Sequence, residues 1–277
     1  MNTLEFSGWI FCSSILAGLL GALTGLGGGV VVVPVLTVLF HVDIRYAIGA
    51  SLVSVIATSS GAAAAYVREG FSNVRIGMFL EIATTLGALV GAYLTGIVST
   101  HAIGIIFGAV LFYSAYESLR THPDETHREP NALALKLNLQ GSYPTSHGPE
   151  NYVAQNVPGG FSLMFVAGAL SGLLGIGSGA VKVLAMDRAM RLPFKVSTTT
   201  SNFMIGVTAA ASAGIYLSRG YISPGLAMPV MLGVLIGSLV GSRLLVKAKV
   251  KTLRLLFASV IVVLGIEMIY NSMTGRL

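Results

Sequence analysis

The stretch Gly25-Leu26-Gly27-Gly28-Gly29-Val30-Val31-Val32-Val33-Pro34 interrupts an apolar run that extends from residue 8 to 40. A near-copy, Gly175-Ile176-Gly177-Ser178-Gly179-Ala180-Val181-Lys182-Val183-Leu184, interrupts a second apolar run at 161–186. Glycine clusters weaken a helix, because glycine loses more backbone freedom there than any other residue. The two stretches lie 150 positions apart, and the match extends well beyond them. Ala17, Gly18 and Leu20 meet Ala167, Gly168 and Leu170. Ser51, Thr58, Tyr66 and Gly70 meet Ser201, Thr208, Tyr216 and Gly220. Gly87, Leu89, Val90 and Gly91 meet Gly237, Leu239, Val240 and Gly241, and Glu117 meets Glu267. One offset held without gaps over this length predicts two related halves, about 1–120 and 151–277.

The composition says where those halves reside. Hydrophobic residues make up 54% of the 277 and charged residues only 10%, against about 25% charged in a soluble domain. Mean hydropathy is +0.80. These values exclude a disordered chain, a nucleic-acid-binding domain and an ordinary cytosolic enzyme. They predict an all-α polytopic protein of the lipid bilayer. Beyond the two broken runs, six apolar segments are long enough to span it, at roughly 46–67, 75–98, 102–119, 196–217, 224–245 and 254–272. Residues 120–160 are polar and contain Pro123, Pro130, Pro144, Pro149 and Pro158, which reads as a solvent-side linker with a short helix near Ala132–Leu139. Cys12 is the single cysteine, so no intrachain disulfide or thiolate metal cluster is expected. Residues 1–8 carry Glu5 and no Lys or Arg, unlike the start of a signal peptide.

The net charge of +6 is a matter of orientation. Thirteen Lys and Arg fall in the loop at 68–75, the linker, and the loops at 187–195 and 242–254, whereas only Arg45, Arg219 and Arg276 fall at the other set of connections. The positive-inside rule puts the first set in the cytoplasm. The linker and the 187–195 loop are then on one side, so the run 161–186 between them makes no net crossing. It enters and returns, breaking at its glycines. By the repeat, 8–40 does the same from the opposite side. Each half is therefore a Gly-broken helical hairpin plus three transmembrane helices. Three is odd, so the halves are inverted, an organisation known from secondary transporters. The expected divisions are a first membrane repeat at 1–120, a cytoplasmic linker at 121–158 and an inverted second repeat at 159–277, with both termini outside.

Irregular backbone at membrane depth is tolerated only where protein or a water-filled cavity covers it. A helix starting near Gly28-Gly29 or Gly179-Ala180 directs free N–H groups and a positive dipole end into the membrane interior. Two such ends predict an anion site built on Gly27, Gly28, Gly29, Gly177, Ser178 and Gly179. The other reading of these glycines is a tight turn with close helix packing.

The run Gly25-Leu26-Gly27-Gly28-Gly29 followed by Pro34, repeated after the linker, resembles the TauE/SafE sulfite exporter family. Ala47-Ile48-Gly49-Ala50-Ser51-Leu52 and Thr200-Ser201-Asn202 fit the family's first full span in each half. The likeness covers nearly all of the chain outside 121–158. It implies a bacterial inner-membrane carrier that exports sulfite or an organosulfonate such as sulfoacetate. The second half departs from the pattern: Ser178 replaces a glycine, Leu184 stands where Pro34 stands in the first half, and Lys182 interrupts apolar residues.

Ionisable residues inside spans are costly and often functional. Lys182 is expected either to contact the anion or to snorkel toward the cytoplasm. Glu81 is a candidate for proton coupling or for a hydrogen bond with Thr84 or Thr85. Glu117 and Glu267 lie near span ends, where snorkelling explains them. Ser51, Thr200, Ser201 and Asn202 are expected to line the cavity, although hydroxyls also bond helix backbone. Gly87-x-x-x-Gly91 and Gly237-x-x-x-Gly241 predict close helix packing within the chain, or else a homodimer face. His122, His127 and His147 sit among prolines without ligand spacing. With no HExxH, GxSxG or P-loop pattern, neither enzyme chemistry nor a metal or cofactor is expected, and no nucleic-acid partner. The alternatives are a carrier of another small anion, a membrane scaffold or a membrane enzyme.

Overall fold

The computed structural model describes residues 3–24, 28–68, 72–119, 132–145, 148–245 and 250–275. The first half runs α1 (Thr3–Thr24), α2 (Gly29–Pro34), a π-helical turn (Val35–Leu39), α3 (Ile44–Arg68), α4 (Val74–Leu94) and α5 (Thr100–Leu119). A short α6 (Ala132–Lys136) and a hairpin of β1 (Gln140–Thr145) and β2 (Gly148–Val153) follow. The second half runs α7 (Val157–Leu174), α8 (Gly179–Leu184), a π-helical turn (Ala185–Ala189), α9 (Phe194–Ser218), α10 (Pro224–Leu245) and α11 (Val250–Met273). From α8 onward, each second-half element starts 150 positions after its first-half counterpart. The π turn follows Pro34 in one half and Leu184 in the other, so the proline is not its cause.

Small residues decide how the halves interlock. A Cβ on Gly18 of α1 would strike the backbone of Val234 in α10, and a Cβ on Gly168 of α7 would strike the backbone of Thr84 in α4. These are one contact made twice with the halves exchanged. Gly87 lies against the Phe165 carbonyl and Gly237 against the Ile15 carbonyl in the same exchanged fashion. The small-xxx-small pair of α4 and Gly237 of α10 therefore serve helix packing inside the chain. α3 and α9 cross in the middle and run antiparallel: Gly49, near the start of α3, faces the Tyr221 carbonyl just beyond the end of α9. α5 and α11 are antiparallel too, with Gly108 against Ile269.

The loops sort to two ends. At one, the Asn73 side chain caps α4 by accepting from the Ile76 amide (3.0 Å) and donates to the Gln140 carbonyl (3.2 Å) and Tyr152 hydroxyl (2.9 Å). The Gln155 amide donates to the Met190 carbonyl there (2.9 Å). At the other, the Arg45 guanidinium donates to the Val98 carbonyl (3.3 Å) and stacks over Tyr221 at 5.9 Å. Every loop residue named at the first end belongs to the connections rich in Lys and Arg.

The hairpin was not expected from the prolines of the linker. Pro144 and Pro149 pair across it, which a two-stranded ribbon tolerates because each strand has a free edge. Tyr143, Tyr152, Leu139 and Ala134 bury themselves against Ile76 and Leu80 of α4, Met186 and Met190 after α8, and Val196 of α9. Burial pushes the Tyr152 phenol above its ordinary value, against the opposing effect of the Asn73 hydrogen bond.

Among the described residues three helical stretches are long and apolar enough to cross a membrane, Val74–Leu94, Val157–Leu174 and Pro224–Gly241. Six full spans were expected. α9, one of the six, has 25 residues, about 37 Å at 1.5 Å per residue, but its hydroxyls dilute the apolar signal. Those hydroxyls are not offered to lipid: Ser197, Thr200, Ser201, Thr208 and Ser212 are all buried. Three further stretches that fall short are Ile44–Ser59, Thr100–Tyr116 and Ala258–Met273.

Candidate functional site

The start of α2 and the second-half break meet at the crossing of α3 and α9. Gly175 (φ +67°) ends α7, and Gly177 (φ +68°) and Ser178 (φ +46°) complete the turn into α8. Three left-handed residues in four reverse the chain without a longer loop. Glycine takes that conformation freely, whereas for serine it costs about 1–2 kcal/mol. Ser51 of α3 donates to the Gly175 carbonyl at 2.8 Å, and Ser201 of α9 to the Gly179 carbonyl at 3.3 Å. Gly29, at the start of α2, packs against Ser51 and the Gly175 carbonyl. A Cβ there would lie 2.7 Å from Ser51 Oγ and 3.0 Å from the Gly175 carbonyl. The start of the first-half return helix thus touches the second-half break. Ser171 Oγ and Ser178 Oγ are buried with no hydrogen-bond partner. Ser178 caps α8 only through its carbonyl, which accepts from the Lys182 amide at 3.0 Å.

The site residues expected from sequence divide accordingly. Gly29, Ser51, Ser178, Gly179 and Ser201 come together, with Gly177 between Ile205 and Val55. Gly28 has ordinary helical angles (φ −61°) and faces the Val234 side chain. Gly27 lies outside the described residues, as do His122, His127 and His147. Thr200 turns away and accepts from the Asn73 amide (3.1 Å), while Asn202 is half-buried. Glu267 is exposed, and the Glu117 side chain lies outside the description.

Lys182 is fully buried and does not reach back toward the 187–195 loop. Its Nζ donates to Thr208 Oγ1 at 2.6 Å, and Thr208 Oγ1 donates to Glu81 Oε1 at 2.7 Å. Thr85 also donates to Glu81 Oε1 (3.2 Å), while Glu81 Oε2 is buried without a partner. Glu81 belongs to the first half and the other two residues to the second, so this chain of bonds crosses the boundary between halves. Lys182 stands one helical turn beyond Ser178, about 6 Å along the axis. Sequence reasoning singled out both charges but missed Thr208. The signal was present, because a lysine alone in an apolar run needs a partner.

A second polar group closes the opposite end. The Tyr216 hydroxyl lies 2.8 Å from Thr95 Oγ1 and donates to the Gly172 carbonyl at 3.0 Å. Arg219 donates to the Ala92 and Tyr93 carbonyls at 3.0 Å each, satisfying the last turn of α4. Among the described residues no three His, Cys, Asp or Glu side chains converge as a metal site would require.

Comparison with known proteins fits this arrangement. The family model described as "Sulfite exporter TauE/SafE" matches residues 10–268. "Probable membrane transporter protein YunE" of Bacillus subtilis is 27% identical over 265 residues, covering 93% of this chain and 95% of that protein. "Probable membrane transporter protein YdhB" of the same organism is 28% identical, covering 84% and 86%. "Probable membrane transporter protein MJ0441" of Methanocaldococcus jannaschii is 26% identical, covering 92% of each. No solved structure matches. A family match over nearly the whole length, on a helical chain with membrane-spanning segments, leads to one conclusion: the chain belongs to the TauE/SafE family of membrane transporters.

Proposed function

We propose that the protein is an inverted-repeat carrier that exports a small sulfur-containing oxyanion, sulfite or an organosulfonate such as sulfoacetate, across the bacterial inner membrane. The observation that carries this reading is the contact of Gly29, at the start of α2, with Ser51 and the Gly175 carbonyl of the second-half break. There the N-terminal turn of α8, extended by its π turn to 11 helical residues, starts beside a buried serine hydroxyl without a partner. The first-turn amides of α8 beside the unpartnered Ser178 hydroxyl suit a compact oxyanion. Of the residues expected from the sequence, substrate-binding roles go to those gathered here, Gly29, Ser51, Gly177, Ser178, Gly179 and Ser201, with Lys182 one turn away. A negative-inside potential favours anion exit by about 2.3 kcal/mol per charge per 100 mV.

The antiparallel crossing of α3 with α9 supports opposite orientation of the halves. The gathering of the basic loops at one end supports a cytoplasmic linker at 121–158 between repeats at 1–120 and 159–277, with both termini outside. Two measurements test the reading. In a Cys12→Ser background, an impermeant thiol reagent on intact cells should label Ser223→Cys and spare Asn151→Cys. Labelled Asn151→Cys overturns the orientation. Proteoliposomes holding the purified protein should release trapped sulfite or sulfoacetate faster than empty liposomes. Equal rates for every sulfur oxyanion tried would remove the substrate class.

A further inference from the structure

Lys182 and Glu81 form the one buried pair of opposite charges among the described residues, and it lies a single turn from the break. A lysine with no exposed surface requires a counter-charge, and Glu81 supplies it through Thr208. An anion held at the start of α8 would sit about 6 Å from Lys182 along the helix axis and would compete for the same positive charge. Two anions beside one ammonium would leave an uncompensated negative charge in a site closed to water, which is far costlier than a neutral acid.

Resting on the carrier reading above, we infer that Glu81 is a resident stand-in for the transported anion: the substrate takes over the charge of Lys182, and Glu81 takes up one proton from the aqueous side from which the anion enters. The balance is simple. The Glu81 carboxylate gains a proton and becomes a neutral carboxylic acid, and no covalent bond in the substrate changes. When the anion leaves, the proton leaves Glu81 to water on the far side and the carboxylate returns to Thr208 and Lys182. The loaded protein therefore carries one negative charge fewer than the anion alone, and a dianion exits as a single net charge.

The surroundings favour exchange at this pair alone. Oε2 has no partner to release, so protonation there breaks no bond. Oε1 keeps the hydroxyl bonds from Thr208 and Thr85 in either state. On the elements packed around Glu81, α7 carries no charged residue and α9 only Lys195 in its first turn. The other charges nearby are Arg75 at the start of α4, Asp187 and Arg188 in the π turn after α8, and Glu150 on the hairpin. The position equivalent to Lys182 is Val32 and that equivalent to Glu81 is Met231, so one proton is exchanged per cycle, not two.

The test is proton counting on the purified full-length chain. Titration calorimetry with sulfoacetate and with methanesulfonate, at a fixed pH above neutrality, is run in two buffers of different ionisation enthalpy. Neither anion titrates there, so the buffer difference reads protons taken up by the protein. Uptake of one proton per bound anion is expected for the native protein and none for Glu81→Gln, which should still bind. The double variant Glu81→Gln/Lys182→Met should lose binding by at least tenfold. Binding to the native protein without proton uptake overturns the inference and leaves the carrier reading standing. So does uptake that persists in Glu81→Gln. Absence of binding by these anions and by sulfite removes the carrier reading and the inference together. The native measurement decides the matter even if a variant does not fold.

Discussion

The two halves solve the same packing problem, yet in one layer of three equivalent positions they differ at two. The second half places Lys182 and Thr208 against Glu81. The exchanged positions hold Val32, Thr58 and Met231. Val32 is buried among apolar residues, Met231 is half-buried, and Thr58 bonds only its own helix through the Ser54 and Val55 carbonyls. One copy of the layer is therefore a greasy contact and the other a hydrogen-bonded ion pair. Symmetry in the backbone with asymmetry in charge separates what the fold needs from what it does not. The same arrangement of elements forms in the apolar copy without charge at these positions.

The largest expected effect comes from breaking the charged copy on one side only. Lys182→Met should lower stability by about 3–5 kcal/mol, because Glu81 is left buried and unpaired. Restoring the composition of the other half, with Lys182→Val and Glu81→Met together, should recover most of that loss while transport stays absent. Thermal melts in detergent and a liposome flux assay check both. A double variant no more stable than the single one would mean that the two layers are not equivalent.

A smaller effect separates the two threonines. Thr208→Val removes the bridge between opposite charges and should cost about 1–3 kcal/mol. Thr58→Val loses only a bond to its own backbone and should cost less than about 1 kcal/mol. Equal losses in paired melts would erase the distinction.

The breaks themselves differ in the same way. Gly177→Ala must hold φ +68°, at a cost of about 1–2 kcal/mol, with its new methyl against Ile205. At Gly28→Ala the backbone already has a helical φ, and the new methyl presses on the movable Val234 side chain while lying at ordinary contact distance from the Gly18 backbone. This substitution should cost less than about 1 kcal/mol. Transport rates should follow that order. Tyr216→Phe should also cost only about 1 kcal/mol, by leaving the Thr95 hydroxyl and Gly172 carbonyl without their shared partner.

Much of this architecture was legible in the sequence because glycine and charge leave unambiguous marks. The 150-residue offset, the breaks before Gly29 and Gly179, and the sorting of Arg45 and Arg219 to one end were all readable from residue positions. The hairpin was hidden because proline reads as irregular loop, while its register depends on Tyr143 and Tyr152 burying against α4 and α9. Thr208 was hidden for a different reason. It lies on another helix 26 positions from Lys182 and 127 from Glu81, and no spacing rule within one helix connects them. Thr200 was placed by its neighbours in sequence, whereas its bond is to Asn73, on a loop that only the folded chain brings near.

The exchanged packing of α1 on α10 and α7 on α4 also governs how the protein is made. During synthesis α1 emerges well before α10: Val234, against which Gly18 closes, emerges about 215 residues later, ten or more seconds at 5–20 residues per second. Throughout that interval the narrow glycine face of α1 waits in the membrane without the surface that fits it. The first half thus cannot reach its final form before the second is inserted, and a nascent chain stalled within the linker would hold an open bundle that quality-control proteases can recognise.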